Sequence, residues 1–272
     1  MGSTGPPEAR ELLAAAVAVV RPAAARARRL RAEGVGRVAT KTTDTDVVTA
    51  ADRAVERMVV AALRRTRPQD TVLGEEYGEQ QPAGATPVRW LLDPIDGTVN
   101  YLYGLPWYAV SLAAEVDGRV VAGVVHNPAT GQEWTAAAGY GAWRDGRRLA
   151  GSDQTELGQA LVGTGFGYDP DRRAHQAGVL AGLIAEVRDI RRIGAAALDL
   201  CLAAEGTLDA FFERGLSPWD HAAGGLIAAE AGLVAAGLAG APAGPQMLLA
   251  APPALFPALH DRLLALDAAG GP

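Results

Sequence analysis

A change of pattern near Gly151 constrains the fold more than any other feature of this 272-residue chain. Before it, short apolar runs read as strands at about 71–73, 88–92, 107–116, 119–126, 133–137 and 141–144, with Asp117-Gly118 and Asp145-Gly146 as tight turns. Strands joined by a two-residue Asp-Gly turn pair antiparallel. After Gly151, strands at about 160–163, 190–193, 208–212 and 247–250 alternate with helices. Those helices open at Tyr168-Asp169-Pro170 (running to about 187), at Gly194 (to 204), at Ser217-Pro218 and near Pro253. An antiparallel-rich part followed by an alternating part predicts a layered sandwich of α+β and α/β type. The two parts, 1–150 and 151–272, are expected to pack as one unit.

Two helices precede the strands. The first, about 8–33, is rich in Ala, Leu and Arg, with Pro22 as a kink or restart point. Its arginines, Arg21, Arg26, Arg28, Arg29 and Arg31, read as a solvated face. Thr49-Ala-Ala-Asp52 opens the second, which runs to about 65 with Val55, Met58, Val59, Ala62 and Leu63 as its apolar stripe. The proline-bearing segment 80–87 reads as a polar loop, and the chain carries no internal repeat.

Composition narrows the function. The formal net charge is -6, which makes the chain a poor general binder of nucleic acid or anionic membrane. Holding a phosphorylated ligand then requires local positive charge or metal ions. Cys201 is the only cysteine, so neither an internal disulfide nor a thiolate metal cage is available, and its Ala-rich setting suits a buried inert thiol. Residues 1–7 lack a basic-then-apolar leader pattern, and no run of about twenty uncharged apolar residues appears. A soluble cytoplasmic protein is expected. Lys41 is the one lysine in a chain whose other basic residues are arginine.

Five acids sit where elements begin or end: Asp52, Glu75, Asp93, Asp96 and Asp220. Hard divalent cations take oxygen ligands, and Mg2+ combines a few carboxylates with water and substrate phosphate. The four histidines are scattered at 126, 175, 221 and 260, so no nitrogen or sulfur set favours zinc. In Asp93-Pro94-Ile95-Asp96-Gly97-Thr98 the proline is expected to stop the strand and bend the chain. Both carboxylates and the Ile95 carbonyl can then face one point, with Gly97 allowing close approach of a ligand. An ordinary acidic turn fits the same spacing equally well. Thr49-x-x-Asp52 and Ser217-x-x-Asp220 match helix-capping patterns, and Glu75-Glu76 alone reads as a solvated loop. His221 reads as a helix surface residue.

Taken together, three segments resemble the inositol monophosphatase family in order and separation. They are Gly74-Glu75-Glu76, Asp93 through Tyr101, and Trp219-Asp220-His221-Ala-Ala-Gly224. Further similarity runs through Lys41, Val48-Thr49-Ala-Ala-Asp52, Arg192-Ile-Gly194-Ala-Ala196 and Phe212-Glu213, covering nearly the whole chain. The resemblance implies an αβαβα layer order and Mg2+-dependent hydrolysis of a small phosphate monoester. By it, Glu75, Asp93 and the Ile95 carbonyl hold a first Mg2+, while Asp93, Asp96 and Asp220 hold a second. Glu75 with waters has room for a weaker third. Asp52 and Thr98 would activate the attacking water, supported by Glu76. The Gly97 and Thr98 amides would meet the phosphate, and Gly194, Ala196 and Glu213 the alcohol. Lys41 matches a family lysine near the metals. A homodimer and sensitivity to lithium are also implied.

The Thr98-Val99-Asn100-Tyr101 form and the loop at Gly194 lean toward inositol monophosphate as substrate. Histidinol phosphate and fructose 1,6-bisphosphate are rivals with the same chemistry, and a regulatory protein-binding role is a rival of another class. The segment after Gly232 is Ala-rich and lacks the family's acidic turn.

Overall fold

The computed structural model describes residues 7–34, 38–40 and 47–272. Five layers alternate helix and sheet, in the αβαβα order implied by the resemblance. The outer helical layer is α1 (Pro7–Ala32) with α2 (Ala50–Thr66), and a small antiparallel ribbon of β1 (Val38–Thr40) and β2 (Val47–Thr49) leads into α2. On α1, Leu12, Ala16, Val19, Val20, Ala23, Ala24 and Ala27 are buried, which is the i, i+3, i+4 stripe of a helix lying on a sheet. Pro22 does not restart the helix: α1 continues through it. Ala18 and Pro22 both face solvent, so the carbonyl that Pro22 cannot serve is open to water.

Beneath these helices lies an eight-stranded sheet. It comprises β3 (Thr71–Gly74), β4 (Gly78–Gln80), β5 (Val88–Asp96), β6 (Ala109–Val116), β7 (Arg119–His126), β8 (Glu133–Ala137), β9 (Gly141–Arg144) and β10 (Arg147–Arg148). Its spatial order is β10-β9-β8-β7-β6-β5-β3-β4, antiparallel except for the β3–β5 pair. Leu12, Val20, Val55, Leu63, Trp90, Leu92 and Leu112 fill the space between α1, α2 and this sheet. A short helix, α3 (Thr98–Tyr103), follows β5 directly.

The second sheet has the order β12-β11-β13-β15-β14, from β11 (Leu161–Thr164), β12 (Asp189–Arg191), β13 (Ala210–Glu213), β14 (Val234–Ala236) and β15 (Leu248–Ala251). Only β12, β11 and β13 run parallel, and β15 is antiparallel to both its neighbours. Helices α4 (Pro170–Leu183) and α7 (Phe256–Ala265) cover its outer face.

Between the sheets lie α5 (Ala196–Glu205) and α6 (Pro218–Glu230). Every α5 residue from Ala196 to Ala204 is buried, as a helix enclosed on all sides requires. Small residues let this layer close tightly. A Cβ on Gly224 would stand 2.8 Å from the Leu200 Cβ, and one on Gly123 of β7 would stand 3.0 Å from the Ala223 Cα. The Ala- and Gly-rich composition of the second half is thus a packing requirement of the middle layer. Cys201 is fully buried there, and burial raises its thiol pKa well above the usual value.

Several boundaries differ from the sequence reading. Strands β1, β2, β4, β10 and β14 and helix α3 were not anticipated, because each is too short to carry a periodic signal. The α4 helix stops at Leu183 and not near 187, and β12 covers Asp189–Arg191 in place of 190–193. No described helix is long and apolar enough to cross a membrane.

Candidate active site

The site begins with two parallel neighbours. Strands β3 and β5 pair so that Gly74 stands opposite Leu92, and the Glu75 amide continues the ladder to the Leu92 carbonyl at 3.2 Å. The next residue on each strand is an acid, so Glu75 and Asp93 emerge side by side at the carboxyl end of the sheet.

Pro94 does not end the strand, contrary to the sequence reading; β5 continues to Asp96. The pairing with β6 runs Asp93↔Ser111 and then Asp96↔Ala109, with a register shift between them. Three β5 steps oppose two on β6, which is a one-residue bulge. A bulge is also where a strand tolerates a proline, which has no N–H to give the ladder. The consequence is chemical. Strict alternation sends Asp93 and Asp96 to opposite faces, and the extra residue turns them to the same one. The Ile95 amide donates to Asp93 Oδ1 at 3.0 Å, and the Thr98 hydroxyl donates to the Ile95 carbonyl at 3.1 Å.

Gly97 then reverses the chain with φ +84°. A Cβ there would lie 3.0 Å from both the Trp107 carbonyl oxygen and the Ala195 Cβ, so glycine is needed for conformation and for space. Asn100, read from sequence as a specificity feature, spends its side-chain amide on structure. It donates to the carbonyls of Trp107 at 2.8 Å and Ile193 at 3.0 Å, tying α3 to the loop that carries Gly194.

Asp96 reaches across to the second half of the chain. Its Oδ2 accepts the Ala197 amide at 2.8 Å at the start of α5, whose own cap residue is Ala195 and offers no side-chain acceptor. Asp96 therefore does the capping from another element, where the helix dipole favours negative charge. On α6, Asp220 Oδ2 accepts the Ser217 amide at 2.7 Å and also lines the cleft. The capping and cleft-facing readings of this acid hold together.

These side chains line a cleft of about 450 Å³. Its lining includes an acidic set, Glu75, Asp93, Asp96 and Asp220, together with Ile95, Gly97 and Thr98. A second set, Gly194, Ala196 and Glu213, joins the first where Asp96 bonds the start of α5. Arg172, Arg192 and Arg214 add positive charge to the lining; Arg192 belongs to a family-like segment of the sequence, whereas Arg172 and Arg214 were not picked out among many arginines. Asp52 and Glu76 are not in the lining: Asp52 is buried on α2, and Glu76 is paired with Arg53 at 3.4 Å. Lys41 lies outside the described residues. His221, at the start of α6, is half-buried, and burial lowers its pKa.

The electrostatics are those of crowded, desolvated anions. Burial raises the Asp93 pKa well above the usual carboxylate range, reinforced by the charges of Glu75, Asp96, Asp220 and Asp52. Burial pushes Asp96 up to about 7, against the pull of the α5 amides and with the charge of Glu75 adding to the rise. Glu213 and Asp199 are also raised well above their usual values, chiefly by burial. Gathering like charges out of water is unfavourable unless something compensates them. Among the described residues no three such groups close into a ready cation cage. Mg2+ does not demand one, since it keeps several waters and takes substrate oxygens. The donors, carboxylates and one carbonyl, are those a hard divalent cation prefers.

Comparison with known proteins adds a second line of support. The family model described as "Inositol monophosphatase family" matches residues 8–266. Over 209 residues the chain is 50% identical to the Mycobacterium tuberculosis protein called inositol-1-monophosphatase SuhB, covering 74% of this chain and 71% of the relative. It is 44% identical over 191 residues to the Pseudomonas aeruginosa protein called Nus factor SuhB, covering 69% of this chain and 70% of the relative. The crystal structure of extragenic suppressor protein suhB from Bartonella henselae superposes with a TM-score of 0.87 at 32% identity, covering 93% of this chain and 98% of that one.

Proposed function

The chain belongs to the inositol monophosphatase family, and from that membership we propose that it hydrolyses small phosphate monoesters with Mg2+, inositol monophosphate first among them. The observation that carries this reading is the bulge in β5, which turns Asp93 and Asp96 into one cleft beside Glu75 and Asp220. Glu75, Asp93 and the Ile95 carbonyl would hold one Mg2+, and Asp93, Asp96 and Asp220 a second. When bound, the cations supply an activated water and neutralise charge on the phosphoryl group and the leaving oxygen, toward a barrier reduction of roughly 20 kcal/mol or more.

The chain's own groups do the rest. The Thr98 hydroxyl donates to the Ile95 carbonyl at 3.1 Å, which leaves its lone pairs to accept a hydrogen bond from the attacking water and orient it. Asp52, whose charge reaches Asp93, would take up the proton that this water loses. The Gly97 and Thr98 amides would hold phosphate oxygens, while Gly194, Ala196 and Glu213 orient the alcohol. An acidic protein then holds an anionic substrate through its cations. A homodimer in the cytoplasm goes with this reading.

Phosphate release from a panel of inositol, sugar and amino-alcohol phosphates, with and without Mg2+, tests the proposal. Mg2+-dependent release, fastest from inositol monophosphate, is expected; no release from any member defeats it. A regulatory role is a second reading, supported by the 44% identity to a protein called a Nus factor. It gains ground if the panel is silent and the protein binds transcription components instead.

A further inference from the structure

Glu56 is fully buried on α2, one helical turn after Asp52 and on the same face, and it does not line the cleft. Its two carboxylate oxygens accept the backbone amides of the turn after β3. Oε2 takes the Glu76 N–H at 2.9 Å and Oε1 the Tyr77 N–H at 3.1 Å. The carboxylate fills the space beside Gly74, where an added Cβ would fall 2.1 Å from Oε1. Around this contact α2 grips the same turn from outside. Arg53 pairs with Glu76 at 3.4 Å, and Arg57 bonds the Tyr77 hydroxyl with its guanidinium 6.0 Å from the ring centre.

A buried carboxylate is an expensive way to support a turn. Burial itself raises its pKa, and the two amides only partly offset this. An alanine at 74 against an apolar side chain at 56 would pack the same space without a buried charge. The arrangement does something packing alone cannot: it fixes the two backbone units that follow Glu75, while the Glu75 amide bond to the Leu92 carbonyl holds the unit before it. We propose that Glu56 is a positioning residue that aims the Glu75 carboxylate at the cation site, with Gly74 glycine because that carboxylate needs its place. The inference rests on the metal-site reading above and deepens it. Outer-layer partners of this kind commonly tune metal affinity by about 10–100-fold.

The test is Mg2+ and Mn2+ binding to the full chain by calorimetry, alongside thermal melting and amide exchange at Glu76 and Tyr77. Glu56→Ala is expected to weaken cation binding at least tenfold and to speed exchange at both amides. Glu56→Gln, which keeps the volume but opposes one amide with its own donor, should fall between. Gly74→Ala should weaken binding in the wild-type background because its methyl displaces the Glu56 carboxylate. In the Glu56→Ala background, Gly74→Ala should add little, since the clash is gone. Val59→Ala, on the same helix and fully buried, controls for lost stability: it should lower the melting temperature and leave affinity unchanged. Unchanged cation affinity in Glu56→Ala and Glu56→Gln, or full additivity with Gly74→Ala, overturns the proposal alone. A wild-type protein that takes up no divalent cation overturns the metal-site reading and this role with it.

Discussion

The two sets of cleft residues are held by different means. Three of the acidic set stand at strand ends: Glu75 and Asp93 follow paired residues of β3 and β5, and Asp96 is turned beside them by a bulge and tied to the α5 amides. The second set is spread over the second half of the chain. Gly194 and Ala196 stand at the entry to α5, Glu213 at the end of β13, and exposed or half-buried arginines line the cleft with them. Under the proposed chemistry this division is physical. Displacement at phosphorus needs donors held to a fraction of an ångström, which a sheet supplies, whereas choosing an alcohol needs surfaces that can be revised without disturbing the sheet.

Breaking the acidic set should have the largest effect. Asp93→Asn is expected to lower Mg2+-dependent turnover by about a thousandfold or more. It should leave circular dichroism unchanged and raise the melting temperature of metal-free protein, because it removes one of several crowded buried charges. Substantial retained turnover would show that Asp93 is not the shared ligand.

Gly97→Ala strikes the turn where the two sets meet. It forces a side chain into a left-handed conformation and against the Trp107 carbonyl and Ala195, and is expected to cost about 2–3 kcal/mol of stability by denaturant titration. A loss under about 0.5 kcal/mol would mean that the turn relaxes freely.

The pH response sharpens the contrast further. Unfolded aspartates titrate near about 4, while Asp96 titrates at about 7 in the fold and Asp93 is also raised. The folded state keeps these protons longer, so their stabilising effect is complete below about pH 4 and is lost as pH rises through about 7. Metal-free protein should therefore melt progressively lower from about pH 5 to about pH 8, and Mg2+ should reverse the fall. Identical pH curves with and without Mg2+ would contradict the charge crowding. Glu133, far from the cleft, behaves in the opposite sense. Burial works to raise its pKa, but bonds from His126 and Arg21 outweigh this and hold it at about 2. Its contribution is present above the unfolded value of 4.5 and is lost as pH falls toward 2.

The smallest expected effect is on the second set. Glu213→Gln should change KM and the ranking of alcohols by about three- to tenfold with Mg2+ affinity unaltered. Equal loss of cation binding would erase the distinction between the two sets.

Much of this was legible from sequence. The strand pattern with its Asp-Gly turns anticipated most of the eight-stranded sheet, and the acids at element ends pointed to Glu75, Asp93, Asp96 and Asp220. Glu56 was not legible, because a glutamate on an amphipathic helix ordinarily faces water, and only its contact with a turn 20 residues later makes it structural. Arg172 and Arg214 were hidden by an arginine-rich composition.

The sequence alone determined the chemistry available: carboxylates and a carbonyl at strand ends, no competing sulfur or nitrogen cluster, and apolar stripes enough for layered packing. Tertiary structure decided where that chemistry points. Asp93 and Asp96 share a face only because β5 pairs with β6 through a bulge, and Asp96 caps α5 only because that helix packs against the sheet that carries it. Local pattern encodes a period and a propensity. Register and long-range hydrogen bonds belong to pairs of segments, and they take their values only when those segments meet.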